Sequence, residues 1–275
     1  MDAINLTETT RTNLLAIQNA AHVREQSARQ LSTGLKVERA TDNAVSYFQA
    51  RGLTNRVSDL FNVKNDIGQA LSAVESSLGG VKALGDISQQ LRGIALSARG
   101  GSSDQRAAAA GQYDALRNQL ANLANDTSYQ GTNLVGSTPD NLTTNLNESG
   151  SASTTIQGSA SDASGLGVQS ASGAFGSFAT DAGIDAAVAQ IESAISQLRS
   201  TSSGFGSDIG LLNIRETFTS NLNATLQEGA AKLVNADLNE AAAVQLSGQI
   251  KQQLGTNTLL LAAQGEQLVG QLLFS

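Results

Sequence analysis

Residues of the types that perform enzyme chemistry are sparse in this sequence and lie in patterns that no common catalytic or metal site uses. His22 is the one histidine, and it stands between Ala21 and Val23 on a segment with helical apolar spacing, which favours a structural role. A zinc site of the His-Glu-x-x-His type needs two histidines, and a thiolate site needs a cysteine, which the chain lacks. The acids of residues 126–192 are scattered, without the spacing of a calcium-binding loop. The sequence therefore predicts a protein that is not an enzyme and that holds no cofactor and no metal.

Charge is distributed unevenly along the chain. The formal net charge is -7, and no lysine or arginine lies between Asn118 and Leu198, although seven acids do. These seven acids account for the whole imbalance, so the two ends taken together are neutral and the middle is acidic. Nucleic-acid binding needs a basic surface and is not predicted. No run of about 18 apolar residues occurs, and Met1–Thr12 lacks an apolar core of the signal-peptide type, so neither membrane insertion nor a secretory signal peptide is predicted.

A long apolar period is the dominant pattern in the chain. From about Gln49 to Arg99 the apolar residues step by four and three, which is the spacing of a coiled-coil seam, and a second stretch from Ile184 repeats it. The seam positions are Ile67, Leu71, Val74, Leu78 and Val81 in the first stretch and Ile191, Ile195 and Leu198 in the second, which continues through Phe205, Ile209, Leu212 and Phe218. Fifty helical residues extend about 75 Å and need a partner along that length, so the two stretches are predicted to face each other. The Ser202-Ser203-Gly204 sequence favours a break in the second stretch.

Shorter elements complete the predicted fold. Helices are expected from Asn5 to Leu31 and from Asp104 to about Asn125, with an extended connector over Leu35–Asp42. Gln130-Gly131 favours a tight turn that opens a small hairpin, and Thr154–Gln157 is a short strand. The fold class is therefore mainly α, a long antiparallel helical rod of coiled-coil type built from both halves of the chain, with a small β-hairpin in the middle. Five glycines inside the rod are hypothesised to let neighbouring rods approach closely: Gly68, Gly79, Gly80, Gly85 and Gly93.

Two motifs resemble those of bacterial flagellins. Arg29-Gln30-Leu31-Ser32-Thr33-Gly34-Leu35-Lys36-Val37, followed by Ala40-Thr41-Asp42-Asn43-Ala44, is similar to the family's Leu-Ser-Ser-Gly-Leu-Arg-Ile…Ala-Lys-Asp-Asp-Ala signature. Near the other end, Gln252-Gln253-Leu254-Gly255 matches the family's Gln-Gln-Leu-Gly pattern. The chain thus resembles a short flagellin with inner and rod domains only.

The resemblance implies a structural subunit of the flagellar filament, secreted and extracellular, that polymerises into a helical tube and transmits motor torque. The implied inner domain pairs residues 1–36 with residues 241–275, and residues 37–42 and 236–240 are the connectors. The implied rod domain is residues 43–235, and it carries a polar exposed segment at 136–183. The assembly and connector residues are expected to be Leu31, Gly34, Leu35, Asp42, Leu254, Leu261, Leu268 and Leu272. The implied partners are other copies of the chain, the flagellar export apparatus and its chaperone, and the cap and hook-associated proteins.

Two other functions are compatible with terminal helices of this kind. A hook-filament junction protein shares such helices with flagellin. A secreted, membrane-active helical translocator is the second alternative, although the closing helix carries no cation after Lys251, and surface-bound helices usually have a basic polar face.

One stretch bears on immune recognition. Flagellins that activate the innate immune receptor for flagellin carry Arg-Val-Arg-Glu-Leu-Ala-Val-Gln, and the matching residues here are Gln90-Leu91-Arg92-Gly93-Ile94-Ala95-Leu96-Ser97. The first arginine, the glutamate and the last glutamine are all replaced. Weak or absent receptor activation is therefore expected.

Overall fold

The computed structural model describes the backbone of residues 8–273 and the side chains of 8 and 10–265. The predicted mainly α fold with one small β-hairpin is confirmed. The elements are α1 (Glu8–Thr33), α2 (Ala44–Ser97), α3 (Ser103–Asp126), β1 (Leu142–Asn145), β2 (Ser153–Ile156), α4 (Ala171–Ala174), a 3₁₀ turn (Gly176–Phe178), α5 (Asp181–Val234) and α6 (Leu238–Leu273).

The chain divides into two compact units. A terminal unit comprises residues 1–55 and 225–275, and a central unit comprises residues 56–224. The division by contacts falls inside α2 and α5. The sequence-based boundaries, near residues 36–43 and 235–241, stay a prediction.

Helices α2 and α5 run antiparallel in the central unit. Arg99 pairs with Asp185, Arg92 Nη2 lies 3.0 Å from Glu192 Oε1, and Lys64 Nζ lies 4.0 Å from Glu216 Oε1, so residue numbers rise along one helix as they fall along the other. Behind this row of ion pairs lies one continuous apolar core, which α3 and the central segment complete. Apolar residues of the two helices thus cover each other, as the matching periods indicate.

Helix α3 begins with a capping box. Ser102 Oγ accepts a hydrogen bond from Gln105 N, and Ser102 N donates to Gln105 Oε1 at 2.9 Å, so two backbone groups at the helix start have partners. Gly100, with φ of 73°, supplies the left-handed backbone that lets the chain turn from α2 into α3. The predicted helix from Asp104 to about Asn125 therefore agrees with the structure to within one residue at each end.

Gly80 has a role within the chain. A Cβ at this position would lie 2.4 Å from Thr127 Cγ2, whereas Cβ atoms at Gly68, Gly79, Gly85 and Gly93 would have no neighbour within 4 Å. Thr127 ends α3, and its hydroxyl donates to the Leu123 carbonyl. Gly80 therefore lets the end of α3 approach α2, which explains one of the five glycines without a second copy of the chain.

Substituting Gly80 and Gly79 separately tests this role. Both changes to alanine gain about 1 kcal/mol of helix propensity, but only Gly80→Ala also incurs overpacking, which costs about 1–3 kcal/mol. We expect Gly79→Ala to raise the free energy of unfolding. The Gly80→Ala variant should have a free energy of unfolding about 1–3 kcal/mol lower than that of the Gly79→Ala variant. Urea denaturation followed by circular dichroism measures both. Equal stabilities of the two variants would show that Thr127 moves away without cost.

The segment 136–183 is packed onto the helices rather than exposed throughout. Strands β1 and β2 pair antiparallel, with Leu142 opposite Ile156, and Ile156 joins the core. The sequence predicted the strand at Thr154–Gln157 and missed β1. Seven apolar residues of the segment are buried: Ile156, Ala163, Leu166, Val168, Ala171, Phe175 and Phe178. The expectation of a polar exposed segment is corrected for these residues. Helix α3 packs against α4 and the 3₁₀ turn, which carry Ala171 and Phe178.

Two polar side chains of α3 hold this segment in place. Arg117 Nε donates to the Val168 carbonyl at 2.7 Å. The Asp114 carboxylate accepts hydrogen bonds from the backbone N–H groups of Ala171 and Ser172 and from the Ser172 hydroxyl. These bonds satisfy polar groups at the start of α4, so a chain with few large apolar residues is still fixed against the helices.

Helix α5 continues without the break that Ser202-Ser203-Gly204 favoured. Phe205 is buried in the core directly after this sequence, and a Cβ on Gly204 or Gly206 would face open space, so the packed side of the helix is uninterrupted. The apolar period does not describe the whole of α5, however. Phe205 and Leu212 are buried, whereas Phe218 is exposed. The assignment of Phe218 to the seam is therefore wrong.

Candidate assembly surfaces

The terminal unit is built on the antiparallel pair α1 and α6. Where the helices meet, Gly255 lies so close to Ile17 that a Cβ would come within 2.5 Å of Ile17 Cγ1, and Gly248 lies against the Ala20 carbonyl. Glycines at these contacts allow the backbones to approach closely. Beside the contact is a groove of about 640 Å³ with a floor of small residues, including Ala16, Ala243 and Ala20.

Large apolar side chains of this unit remain exposed. Leu254 is 61% exposed and Leu261 is 71% exposed, and these two leucines lie seven residues apart on one face of α6. Other exposed apolar side chains of the two helices are Leu14, Leu15, Val23, Leu246, Ile250 and Leu260. A face this apolar marks a surface that binds other molecules.

The connector residues come together where the chain leaves α1 and enters α6. Gly34, with φ of 74°, turns the chain, and Leu35 forms an isolated antiparallel bridge with Asn235. Lys36 N donates to the Val234 carbonyl at 2.7 Å, and Ala236 N donates to the Gly34 carbonyl at 2.9 Å. The two connecting segments are thus joined through their backbones.

Asp42 organises the end of the first connector. The backbone N–H groups of Arg39 and Glu38 donate to Asp42 Oδ2 at 2.9 and 3.0 Å, and these hydrogen bonds lower the pKa of the carboxyl. Asn43 Oδ1 then accepts a hydrogen bond from Ser46 N and caps α2. Asn43 thus caps the helix, and Asp42 closes the turn before it.

The remaining sequence-predicted residues fall into three groups. Leu31 is half-buried near the connector, and the Leu254 and Leu261 side chains lie apart from it on α6. The side chains of Leu268 and Leu272 lie outside the described residues. The seam residues lie in the core of the central unit, either buried or partly buried: Ile67, Leu71, Val74, Leu78, Val81, Ile191, Ile195 and Leu198.

Comparison with known proteins identifies the family. A family model described as the bacterial flagellin N-terminal helical region matches residues 4–138. Flagellin FljM of Caulobacter vibrioides is 27% identical over 267 residues, covering 95% of this chain and 96% of that protein. The chain belongs to the bacterial flagellin family. A flagellin of Brucella melitensis is 24% identical, covering 93% of this flagellin and 94% of that one. The crystal structure of Bacillus cereus flagellin aligns with a TM-score of 0.49 and 15% identity, covering 56% of this chain and 88% of that chain.

The helices of this flagellin carry neither a metal-binding cluster nor a membrane span within the described residues. Within the described part of the chain, no three acidic or histidine side chains converge as a metal ion requires. Across the helices over residues 8–273, no stretch is both long enough and apolar enough to cross a bilayer.

Sequence reasoning missed two features of the flagellin's central unit. One is the row of ion pairs between α2 and α5, which includes Arg92 with Glu192. The other is a stripe on α5, Leu211, Ile214 and Phe218, whose side chains are all exposed. The three-and-four spacing of this stripe was a usable signal, but the sequence analysis assigned Phe218 to the seam and did not single out Leu211 or Ile214.

Proposed function

We propose that this flagellin is the repeating subunit of a bacterial flagellar filament, secreted and extracellular, which polymerises into a helical tube and transmits motor torque for swimming. The exposed apolar face of α1 and α6 carries the proposal, because copies of the same chain can bury it. Contacts between different surfaces of identical copies propagate as an open helix, and that symmetry yields filaments.

The roles of the two ends follow from the same surface. Residues 1–36 and 241–275 form the inner helical pair, 37–42 and 236–240 are connectors, and 43–235 build the outer rod. An exposed apolar pair gains its stability from neighbours, so folding of the ends is linked to polymerisation. The export apparatus, a chaperone, and the cap and hook-associated proteins are the remaining proposed partners, by resemblance to the family, and a chain without cysteine suits unfolded export because it cannot form disulfides on the way.

Filament extension tests the proposal. Purified chain added to short sheared filament fragments should lengthen them into tubes visible by electron microscopy, and the same chain should be the dominant band of appendages sheared from the source cells. A chain that stays monomeric in the presence of fragments contradicts the proposal. A chain found only at one end of the appendage would be a junction protein.

Weak activation of the innate flagellin receptor is a further proposal. Leu91 and Ala95 are buried in the central unit and Arg92 is paired with Glu192. The exposed positions that differ from the activating motif are Gln90, Gly93, Leu96 and Ser97, and of these only Leu96 is a conservative replacement. We expect the purified monomer to give little signal in receptor-reporter cells. Restoring the motif with Gln90→Arg, Gly93→Glu and Ser97→Gln should raise potency about tenfold or more, which corresponds to roughly 1.4 kcal/mol of binding free energy.

A control variant separates the effect of the restored motif on the receptor signal from the effect of an added positive charge. Gln89→Arg adds a cation next to the motif, and it should leave the signal unchanged. Strong signalling by the unsubstituted monomer at low concentration would overturn the proposal.

A further inference from the structure

The groove between α2 and α5 is open where Gly85 lacks a side chain. Its volume is about 330 Å³, and its floor is apolar, with Val81, Ile195 and Leu198 all buried beneath it. A Cβ on Gly85 would meet no atom within 4 Å among the described residues, so none of them fills this space. A second cavity of about 270 Å³ shares Ile195 and Arg199 with the first, so the groove continues toward Arg92. We call this surface the Gly85 groove.

The charges around the Gly85 groove are unpaired, unlike those beside it. Among the described residues, Lys82, Asp86 and Arg199 have no ion-pair partner, although all three line the groove. Along the same edge, Arg92 is paired with Glu192 and Lys64 with Glu216. The groove therefore offers an apolar floor with both signs of free charge at its rim.

The exposed stripe on α5 has the complementary character. Ile214 is 69% exposed and Phe218 is 57% exposed, and Leu211 completes the stripe one turn earlier. Among the described residues of the central unit, five large apolar side chains are exposed, and three of them form this stripe, the other two being Phe61 and Leu96. Asp208 and Arg215 lie at helical spacing from Leu211, and within the described part of the chain neither has an ion-pair partner.

Groove and stripe lie on opposite edges of the α2–α5 pair. Gly85 precedes Arg92 by seven residues, which is about two helical turns, so it lies on the edge that carries the ion pairs. Phe218 follows Glu216 by two residues, which is about 200° around α5, so it faces the other edge. The two surfaces cannot meet within one chain. Two copies side by side can bring them together, and each added copy leaves one groove and one stripe free.

We propose that the Gly85 groove of one copy receives the Leu211–Ile214–Phe218 stripe of a second copy. This inference rests on the proposed filament function and names a lateral contact for it. The apolar floor covers the stripe, and each surface carries free charges of both signs, so charges of opposite sign are available to pair across the contact. Because groove and stripe are different surfaces, the contact is heterologous and continues from copy to copy.

Cross-linking tests the contact, since the chain has no cysteine of its own. A chain with Gly85→Cys and Ile214→Cys is polymerised in a mixture with unsubstituted chain and treated with a short bis-maleimide. Both changes are at open positions, so the monomer should fold as before. The matched control pairs Ile214→Cys with Gly68→Cys, which is equally open and about 25 Å away along α2.

We expect filaments of the Gly85→Cys and Ile214→Cys chain to give dimers in at least about tenfold greater yield than the control. With no unsubstituted chain present, trimers and longer species should follow, because a heterologous contact does not stop at two copies. Normal filaments with cross-linking no higher than the Gly68→Cys control would overturn this inference and leave the filament function intact. Failure of the unsubstituted chain to polymerise would remove the proposed function and this contact with it.

Discussion

A chain carrying Leu254→Asp and Leu261→Asp should fold like the unsubstituted monomer and fail to polymerise. Both side chains are largely exposed on α6, so the substitutions remove little from the fold of one copy. In the proposed filament the same positions are buried, where each lost leucine forfeits about 1.5–3 kcal/mol and each unpaired carboxylate adds a desolvation cost of several kcal/mol. At about 1.4 kcal/mol per tenfold change, the critical concentration for polymerisation should rise more than about 1,000-fold. Sedimentation of seeded samples measures it.

The control keeps the charge and moves it to polar positions of the same helix. Gln249 and Gln253 are exposed, and changing both to aspartate adds the same two carboxylates to α6. We expect this variant to polymerise with a much smaller rise in critical concentration. If the Leu254→Asp and Leu261→Asp chain polymerised with the same critical concentration as the unsubstituted chain, this face of α6 would be exposed to solvent in the filament.

Local patterns predicted the helices well, because a helix is determined by residues three and four positions apart. The seam from Ile67 to Val81 is an example, since its period alone indicates which side of α2 is buried. Phe218 continues the same kind of period, and yet it is exposed. Whether a position on α5 is covered depends on which other elements reach it, and a period contains no information about that.

The β-hairpin and the assembly surfaces were harder to predict, for different reasons. Strand β1 is the sequence Leu-Thr-Thr-Asn, which has little apolar alternation, and its pairing with β2 depends on a turn and on contacts with distant helices. The α6 leucines were recognised as surplus apolar surface, because a helix apolar on several sides needs burial. Neither the period nor one isolated chain shows what buries them, and only the resemblance to flagellins indicates that other copies of the chain do.

Tyr113 is the side chain whose truncation should destabilise the central unit most. It is 0% exposed and makes an edge-to-face contact with Phe178, with ring centroids 5.4 Å apart. Tyr113→Ala should therefore cost about 3–5 kcal/mol of unfolding free energy, as large aromatic truncations do. Within the described part of the chain, however, the buried Tyr113 hydroxyl has no hydrogen-bond partner. Tyr113→Phe keeps the ring and removes an unsatisfied group, so we expect it to leave stability unchanged or raise it by about 1 kcal/mol.

High pH provides a second, independent measurement. Burial raises the pKa of Tyr113 to about 12 from its ordinary value of 10.0. Above pH 10 the unfolded chain releases this proton more readily than the folded chain, so the stability that Tyr113 contributes is fully present below pH 10 and is lost as pH rises toward 12. Tyr113→Phe should remove this part of the pH dependence. Tyr129→Phe serves as the control, because the Tyr129 hydroxyl donates to Gln69 Oε1 at 3.1 Å and its removal should cost up to about 1 kcal/mol. A Tyr113→Phe variant that is less stable than Tyr129→Phe would mean that the Tyr113 hydroxyl has a partner in solution, such as a buried water.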